Sequence, residues 1–371
     1  MARRLVGLWA LALAARGAAA APRPQDDVQL RCVDAPAGAA NRTQRYAYGV
    51  MMGPISPSGK YKKWVYAVVA LRRALLLSGS DADLLAFLAL DDGAASTRMA
   101  PAEEAMLSAQ GVRFRYVRAP LGMRGFHMGH FKLWAWQHTE YDRIQMLDAD
   151  VLPLVDMDAL FSVQPGAAFV GCPGKYSVLN AGWFLLRPSC AHFRGLTQLL
   201  FERGPRKGHA WDGETGWGVQ MPPWRGGDGK THKQGWDFFD SRGNQGHMYA
   251  YFRFVARDLT LIYEDEVVAY RGDAAAAVAV ATNPRVRRAG APRAAAPVGA
   301  DGAARANAAV VYGAFPCPFP AMDEARLAYF HFTGNSKPWT LYDPSNARYA
   351  QWYAMLEGLG IDVRKQIIDA T

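Results

Sequence analysis

Short apolar runs alternate with longer segments of helix-forming residues along most of the chain, beginning near Tyr46. The pattern predicts strands at 47–52, 83–90, 112–117 and 143–147, and helices at 61–77, 101–110 and 129–138. This alternation favours an α/β fold with a mostly parallel central sheet and helices on both faces. Sheets of this kind bind ligands at the carboxyl ends of their strands, so the residues that follow each predicted strand are candidates for chemistry.

The later part of the chain has a more mixed pattern. Strands are predicted at 168–172 and 183–186, and helices at 190–202, 245–254 and 346–359. A segment rich in Gly, Trp and Pro at 208–235 is predicted to be a loop. Residues 273–309 are of low complexity, rich in Ala, Arg and Pro, and are predicted to form a disordered or poorly packed insertion.

The amino terminus has the composition of a targeting segment. Arg3 and Arg4 precede an apolar stretch at 5–15, and small residues follow at 18–21. Residues 1–21 are therefore predicted to be a signal peptide, with a short uncleaved signal-anchor as the alternative. Association with a membrane is expected only in that second case.

A secretory route agrees with the residues that follow. Residues 22–44 are predicted to be a polar linker and 45–371 the folded domain. Asn41-Arg42-Thr43 is a glycosylation sequon within the linker. The expected location is the ER or Golgi lumen, or the outside of the cell.

The cysteines leave two interpretations open. Their even number allows two disulfides, with three possible pairings, and the alternative is four buried free thiols. None of the four has the spacing of a zinc site. They are Cys32, Cys172, Cys190 and Cys317.

The formal net charge of +9 does not indicate a nucleic-acid partner. Three arginines of the leader and a net four positive charges at 285–305 account for most of it, leaving about +2 elsewhere. A domain that binds a phosphate backbone needs a basic patch on its folded surface. We therefore expect no nucleic-acid binding.

A carboxylate pair directly follows the fourth predicted strand. Asp148 and Asp150, separated by Ala149, lie between two apolar runs that would bury them. Because an unpaired buried charge is costly, a bound cation is the natural partner, and capping of backbone amides is the alternative. The triplets at 81–83 and 156–158 also have the Asp-x-Asp pattern, but they lie at a predicted turn and a helix start and are interpreted as structural.

A second motif lies much later, at 331–339, with the pattern H-x2-G-x2-K-P-W. His331 could add an imidazole to the two carboxylates, a ligand set suited to a divalent cation. Gly334 permits a ligand to approach the backbone closely, and the ammonium of Lys337 can neutralise a leaving phosphate. Taken alone, the histidine would be a core residue and the lysine solvated. Together they predict a metal–diphosphate site.

Further blocks surround these two motifs. In chain order the blocks are Tyr61, then 131–136, 147–154, 179–189, 243–246 and 331–339. In this order they resemble glycosyltransferase family 8, the group that includes glycogenin, galactinol synthase and plant glucuronosyltransferases. The similarity extends over roughly 46–355, apart from the insertion. Each block alone is unspecific, whereas the ordered set is highly specific.

The resemblance implies a GT-A fold and a retaining transfer of a hexose or glucuronic acid from a UDP-sugar. The cofactor would be Mn²⁺, with Mg²⁺ as the alternative, and the acceptor a polysaccharide, glycoprotein or glycolipid. The metal ligands would be Asp148, Asp150 and His331. The catalytic residues would be Asp148, Asp150, Gln245 and Lys337.

The residues implied to contact the donor form a larger group. They are Tyr61, Lys132, Ala149, Asn180, Ala181, Gly182, Asn244, Gly334 and Lys337. Among them Tyr61 would face the uracil, and Lys132, Gly334 and Lys337 would contact the diphosphate or another part of the donor. Asn180, Ala181 and Gly182 would line the donor sugar. Gln245 would lie near the anomeric carbon. No strong protein nucleophile is evident, which favours attack by the acceptor on the face that the UDP leaves.

One residue departs from the pattern of the family. Asn244 stands where the family has an aspartate, and an amide cannot act as a carboxylate. Two alternatives to a transferase follow: a degenerate protein that binds a nucleotide sugar, and a nucleotide-sugar hydrolase. Self-glucosylation of the glycogenin kind is less favoured because of the leader. The tryptophans at 208–235 would form either an acceptor platform or a packed lid.

Overall fold

The computed structural model describes residues 31–34, 45–90, 98–119, 128–205, 211–227, 229–263, 267–271, 279–281, 329–332 and 337–368. The predicted leader and the sequon lie outside these ranges, as do Gly334 and Cys317. No helix within the described ranges is long and apolar enough to cross a bilayer.

The strands follow the predicted order and include several short additional ones. They are β1 (Tyr46–Ile55), β2 (Asp83–Leu90), β3 (Val112–Val117), β4 (Arg143–Asp148), β5 (Val151–Pro153), β6 (Phe169–Gly174), β7 (Ser177–Leu186), β8 (Trp224–Arg225), β9 (Thr231–His232), β10 (Asp258–Ile262), β11 (Val267–Arg271), β12 (Ala279–Ala281) and β13 (Tyr329–His331). The helices are α1 (Lys62–Leu77), α2 (Pro101–Ala109), α3 (Cys190–Arg203), α4 (Asn244–Ala250) and α5 (Ala347–Glu357), with 3-10 helices at Met128–Gln137 and Asp158–Ser162 and π-helical turns at Tyr251–Val255 and Arg364–Ile368.

Nine of these strands form one central sheet with two differently built halves. Strands β3, β2, β1 and β4 lie side by side and run parallel, as the strand–helix alternation predicts. Strand β7 then runs antiparallel between β4 and β6. Beyond β6, β10 runs parallel to β6, β11 runs antiparallel to β10, and β12 runs antiparallel to β11. The α/β class and its parallel block are confirmed, and antiparallel strands extend the sheet.

Helices cover both faces of the sheet, as predicted. Side chains of a strand point alternately to its two faces. Along β2, Leu84 and Leu88 accordingly join a core shared with α1 and α5, while Leu85 and Phe87 join a second core shared with α3 and α4. The first core includes Trp352 of α5 and the second Phe193 of α3. Two apolar layers therefore hold the sheet in place and fix the positions of its strand ends.

Besides the short strands β5, β8, β9 and β13, the structure differs from the predicted elements in two respects. The segment predicted as an α-helix at 129–138 is a 3-10 helix, Met128–Gln137. Strands β10 and β11 lie where no strand was predicted. Strand β12 lies within the segment 273–309; the other residues of that segment are outside the described ranges, and the insertion stays a prediction.

Two tryptophans of the segment at 208–235, and Trp236 directly after it, are packed inside. Trp217, Trp224 and Trp236 are 2%, 6% and 1% exposed, whereas Trp211 is half-buried. The indole nitrogens of Trp217 and Trp236 donate to the carbonyl oxygens of Ser241 and Val219, at 2.8 and 2.9 Å. The three buried rings are core, which excludes them as the acceptor platform.

A disulfide joins the segment before the domain to the start of α3. Cys32 and Cys190 are bonded, and Cys172 is a buried free cysteine. The Cys190 amide also donates to Asp34 Oδ1, and Thr139 Oγ1 to the Val33 carbonyl oxygen, at 3.0 and 2.9 Å. Residues 31–34 are thereby fixed against the domain.

Replacing both bonded cysteines with serine is expected to lower the free energy of unfolding by about 2–5 kcal/mol. The physical reason is the length of the closed loop, since the two residues are 158 positions apart and the bond restricts the unfolded chain. Denaturant unfolding of the wild type and of the Cys32→Ser/Cys190→Ser variant measures the difference. Reductant should destabilise the wild type to the level of the variant and leave the variant unchanged; equal midpoints without reductant would contradict the prediction.

Candidate active site

Asp148 and Asp150 lie at the carboxyl end of the parallel block. Asp148 is the last residue of β4 and pairs with Met51 of β1, which runs in the same direction. Asp150 immediately precedes β5, and its side chain is 10% exposed, against 33% for Asp148. The carboxylates therefore lie at the sheet edge where α/β folds bind ligands.

A short strand pairing brings His331 to these carboxylates. Strand β13 runs antiparallel to β5, with His331 opposite Val151, and the Phe332 amide donates to the Asp150 carbonyl oxygen at 2.9 Å. The Nε2 atom of His331 lies 3.1 Å from Asp150 Oδ1 and 3.6 Å from Asp148 Oδ2. A pairing across about 180 residues thus completes a three-residue group.

The group has the composition and spacing of a divalent-cation site. One ligand atom from each of Asp148, Asp150 and His331 lies within 4.8 Å of the others. Carboxylate oxygens suit Mg²⁺ and Mn²⁺, and an imidazole nitrogen suits several divalent transition metals. The donor set therefore fits a divalent cation.

Gly182 leaves the room that His331 occupies. A Cβ atom at Gly182 would lie 2.4 Å from Cε1 of His331 and 2.7 Å from Nδ1, which is closer than real contacts allow. The Gly182 amide donates to Asn180 Oδ1 at 2.7 Å. Asn180 and Gly182 are both expected to line the donor sugar. They therefore also border the space in which the His331 ring packs.

Lys132 is a buried partner of Asp148. Its side chain is 4% exposed, and Nζ lies 2.5 Å from Asp148 Oδ1 and 2.6 Å from the Ala181 carbonyl oxygen. The sequence placed Lys132 on the diphosphate, whereas in the structure its ammonium holds the carboxylate. A role in positioning Asp148 accounts for these contacts.

Lys132→Met and Asp148→Asn are expected to be coupled in stability by about 1–3 kcal/mol. Each single change leaves a charge without its partner: Asp148 in the first variant and the more deeply buried Lys132 in the second. The double variant should therefore lose less than the sum of the two single losses in denaturant unfolding. The more exposed pair Arg98–Glu104, at 3.2 Å, is the matched control and should show a much smaller coupling. Additive losses at Lys132 and Asp148 would show that the pair does not interact.

Lys337 is the corresponding partner of Asp150. Its Nζ atom contacts Asp150 Oδ2 and the Phe332 carbonyl oxygen. Burial by itself raises the pKa of Asp150, but the hydrogen bond and charge of His331 and the charge of Lys337 outweigh it and lower the pKa to about 2. Asp150 is therefore an anionic ligand at neutral pH.

Gln245 is held beside β7 by two contacts. Ser177 Oγ lies 2.8 Å from Gln245 Oε1 and 2.8 Å from the Leu179 carbonyl oxygen. The backbone amide of Gln245 donates to Asp240 Oδ2 at 3.1 Å. Ser177 thus contacts the side chain of Gln245, and Asp240 contacts its backbone.

Asn244 lies inside the protein rather than on an open surface. It is 5% exposed, and a Cβ atom at Gly129 would lie 2.5 Å from its Oδ1. Its Nδ2 atom is buried and has no hydrogen-bond partner among the residues that the structure describes. Asn244 therefore packs against the 3-10 helix that carries Lys132, and an aspartate there would place a charge in a buried position.

Tyr61 and the two alanines of the predicted donor set are also buried. Tyr61 is 5% exposed, and its hydroxyl donates to Glu103 Oε2 at 2.6 Å. Burial and that hydrogen bond raise the pKa of Tyr61 to about 12. Ala149 and Ala181 are 3% and 4% exposed, so contact with a donor would involve mainly the backbone at these positions.

The other two Asp-x-Asp triplets have structural partners. Asp158 Oδ1 accepts from Tyr48 at 2.6 Å and from Ser80 at 2.7 Å, and the Asp158 amide donates to Asp156 Oδ1. Asp83 pairs with Arg113 at 3.2 Å. These contacts agree with the structural interpretation of both triplets.

No protein-family model matches the chain. Two curated plant proteins do, "Putative UDP-glucuronate:xylan alpha-glucuronosyltransferase 5" and 4 of Arabidopsis thaliana, at 30% identity over 151 residues and 29% over 145. The matches cover 39% and 38% of this chain and 25% and 24% of those proteins. The predicted resemblance to glycosyltransferases is confirmed. The chain spans about a quarter of the length of the glycosyltransferases it matches.

Among the solved structures that resemble this chain are two that are glycosyltransferases by name. One is galactosyltransferase LgtC in complex with donor and acceptor sugar analogs, at 10% identity and a TM-score of 0.42, covering 84% of this chain and 95% of that one. Another is the glycosyltransferase GlyE of Streptococcus pneumoniae, at 12% identity and a TM-score of 0.40, covering 87% and 62%.

Sequence reasoning missed two contributors to the site. Ser177 orients Gln245, and the Phe332 carbonyl oxygen contacts Lys337. Ser177 belongs to no recognisable sequence motif, and only its position at the start of β7 could have indicated its contact with Gln245. A backbone carbonyl leaves no trace in a sequence, so Phe332 could be found only from the fold.

Proposed function

We propose that the protein is a divalent-metal-dependent glycosyltransferase that uses a nucleotide-diphosphate sugar. The observation that carries the proposal is the meeting of Asp148, Asp150 and His331 at one sheet edge, within 4.8 Å. Two lysines, Lys132 and Lys337, contact the same carboxylates. A cation site beside lysine ammonium groups suits a substrate with a negatively charged leaving group.

The names of the relatives support a choice of donor and acceptor. Both plant proteins are named for UDP-glucuronate and xylan. We therefore propose UDP-glucuronate as the first donor to test, ahead of UDP-hexoses, and a polysaccharide as the acceptor class, ahead of glycoproteins and glycolipids. Mn²⁺ is the proposed metal, with Mg²⁺ as the alternative.

The residues of the site have distinct proposed roles. Asp148, Asp150 and His331 would hold the metal, which supplies Lewis-acid stabilisation of the departing diphosphate when bound. Lys337 would move its ammonium from Asp150 towards the diphosphate oxygens. Gly334 lies outside the described residues and remains a predicted donor contact.

The stereochemical proposal is transfer with retention. Gln245 is the side chain that we place near the anomeric carbon, and an amide is a poor nucleophile compared with a carboxylate. Attack by the acceptor hydroxyl on the face from which the UDP departs requires no covalent intermediate with the protein. Ser177 would hold the amide of Gln245 in one plane during this exchange.

The names of the relatives favour a transferase over the two alternatives. The alternatives, a degenerate binding protein and a hydrolase, were motivated by Asn244 at the position of the family's aspartate. In the fold Asn244 is 5% exposed and packs against Gly129. The panel of donors and acceptors described below separates the three functions.

The proposed location is the secretory pathway. The Cys32–Cys190 disulfide is a bond that persists in oxidising compartments and is rare in the cytosol. It supports the secretory route that the leader and sequon predict. Whether the leader is cleaved stays a prediction.

The test is a donor and acceptor panel with the purified full chain. UDP-glucuronate, UDP-glucose, UDP-galactose and UDP-xylose are each incubated with Mn²⁺, Mg²⁺ or EDTA, with and without xylo-oligosaccharides. Released UDP and the mass of the glycosylated product are measured. A product of the expected added mass supports the proposal. UDP release without product favours a hydrolase, and donor binding without UDP release would refute an enzyme.

A further inference from the structure

Tyr176 and Phe239 differ from the other aromatic residues of the protein in being open to solvent. They are 59% and 71% exposed, whereas every other aromatic side chain whose burial is described is buried or half-buried. Exposed aromatic rings are costly to keep in water and commonly mark binding surfaces. The two therefore stand out as a candidate binding surface.

The two residues lie next to each other although they are far apart in sequence. The Phe239 amide donates to the Tyr176 carbonyl oxygen at 2.9 Å. Tyr176 lies in the turn between β6 and β7, and Phe239 follows Phe238, which is 5% exposed and packs in the second core. After Phe239 comes Asp240, with a positive φ of 59°. The buried ring before Phe239 and the tight turn after it fix the backbone from which the exposed ring projects.

The pair is continuous with the proposed reaction centre. Each aromatic residue is followed by a residue that contacts Gln245. Ser177, after Tyr176, lies 2.8 Å from Gln245 Oε1, and Asp240, after Phe239, accepts from the backbone amide of Gln245 at 3.1 Å. The residues that carry the exposed rings are therefore chain neighbours of two residues that contact Gln245, which we place at the anomeric carbon.

We propose that Tyr176 and Phe239 form an acceptor platform, which binds sugar units of the acceptor beyond the one that reacts. This inference rests on the proposed function and deepens it. The C–H face of a pyranose ring is apolar, so it can pack on an exposed aromatic ring while its hydroxyl groups stay in water. Replacing these aromatic residues with alanine should weaken acceptor binding, as the loss of an aromatic anchor does at other binding interfaces.

The surroundings of the platform favour a carbohydrate over a membrane or a protein. Lys175 lies beside the Tyr176 ring, with Nζ 5.1 Å from its centre, and Asp237 and Asp240 border Phe239. Two exposed rings offer at most about 500 Å², well below the roughly 800 Å² that each partner buries in a stable protein interface. The acidic residues also disfavour an anionic bilayer.

The position of the platform predicts a dependence on acceptor length. Tyr176 directly precedes β7 and lies five positions before Ala181, whose carbonyl oxygen contacts Lys132 at the metal group. Because β7 is extended, this segment spans roughly 15 Å, so a sugar on the platform lies apart from the one that reacts. Short acceptors should not reach both the platform and the reaction centre, whereas longer acceptors should.

The experiment measures transfer to xylo-oligosaccharides of increasing length with the donor that the panel identifies. Tyr176→Ala and Phe239→Ala should raise the KM for long acceptors about tenfold, with the donor KM, kcat and the short-acceptor rate within about twofold. Tyr176→Phe and Phe239→Tyr, which keep a ring, should behave as the wild type. Leu77→Ala is the matched control, because Leu77 is 60% exposed and ends α1 at the opposite edge of the sheet.

An equal effect on short and long acceptors, or none, would overturn the platform while leaving the proposed function intact. A wild type that transfers to no acceptor would instead count against the proposed function. Calorimetric titration with xylohexaose in the absence of donor then tests the platform separately, since only the alanine variants should lose binding. Loss of self-association in those variants, with unchanged binding of xylohexaose, would show that the surface is a contact between copies of the chain.

Discussion

Asp150→Asn is expected to lower metal-dependent turnover by at least about a thousandfold. Asp150 is the more buried of the two carboxylates, with 10% of its side chain exposed, and Nε2 of His331 lies 3.1 Å from its Oδ1. Its low pKa keeps it anionic. An amide of the same size retains the shape of the residue but removes the charge that a hard cation requires.

Two measurements separate loss of the metal from loss of the fold. Electron paramagnetic resonance of free Mn²⁺ should show weaker binding by Asp150→Asn, while circular dichroism and the unfolding midpoint should show a folded protein. Asp156→Asn is the matched control, since Asp156 belongs to the third Asp-x-Asp triplet and accepts only from the Asp158 amide among the described contacts. Unchanged turnover in Asp150→Asn would refute the assigned metal site.

The parallel half of the sheet was predictable because its strands are short segments that are mostly apolar, as in β2, or that alternate apolar with polar residues, as in β3. Strands β2 and β3 have the predicted bounds, Asp83–Leu90 and Val112–Val117. The position of Asp148 at a strand end follows from the same pattern. Strand β12 could not be predicted, because its three residues are Ala279, Val280 and Ala281 within a long alanine-rich stretch.

The candidate site was predictable as a set of residues but not as a network. The spacing of Asp148, Asp150 and His331 indicated a shared ligand set, and the fold brings them within 4.8 Å. The partner of each lysine was not predictable, because it depends on burial and on backbone atoms. Lys132 thus contacts Asp148 and a carbonyl oxygen, although its sequence context indicated only a positive charge near the donor.

Gly182 is a further residue that the sequence identified without its physical reason. The sequence marks Gly182 as part of a block near the donor sugar. In the fold a side chain at this position would occupy the space of the His331 ring. The need for glycine thus comes from a contact between β7 and β13, which only the three-dimensional structure specifies.

Lys337→Ala is expected to lower kcat by about a hundredfold to a thousandfold, the effect of removing one group that stabilises developing charge. In the fold Lys337 Nζ contacts Asp150 Oδ2 and the Phe332 carbonyl oxygen. When the donor is bound, its ammonium would oppose the charge that develops on the diphosphate. Lys337→Arg keeps the charge but changes its geometry, so it should recover only part of the rate.

Binding of Mn²⁺ distinguishes this role from a structural one. Lys337 is a positive charge in contact with a metal ligand, so its removal should leave the affinity for Mn²⁺ unchanged or raise it, while kcat falls. Lys62→Ala serves as the control, because the side chain of Lys62 is 60% exposed and its ion pair with Glu103 is 3.9 Å long. If Lys337→Ala instead loses Mn²⁺ along with its activity, as Asp150→Asn should, then Lys337 acts by holding Asp150 in place, and the leaving diphosphate must be neutralised by another group.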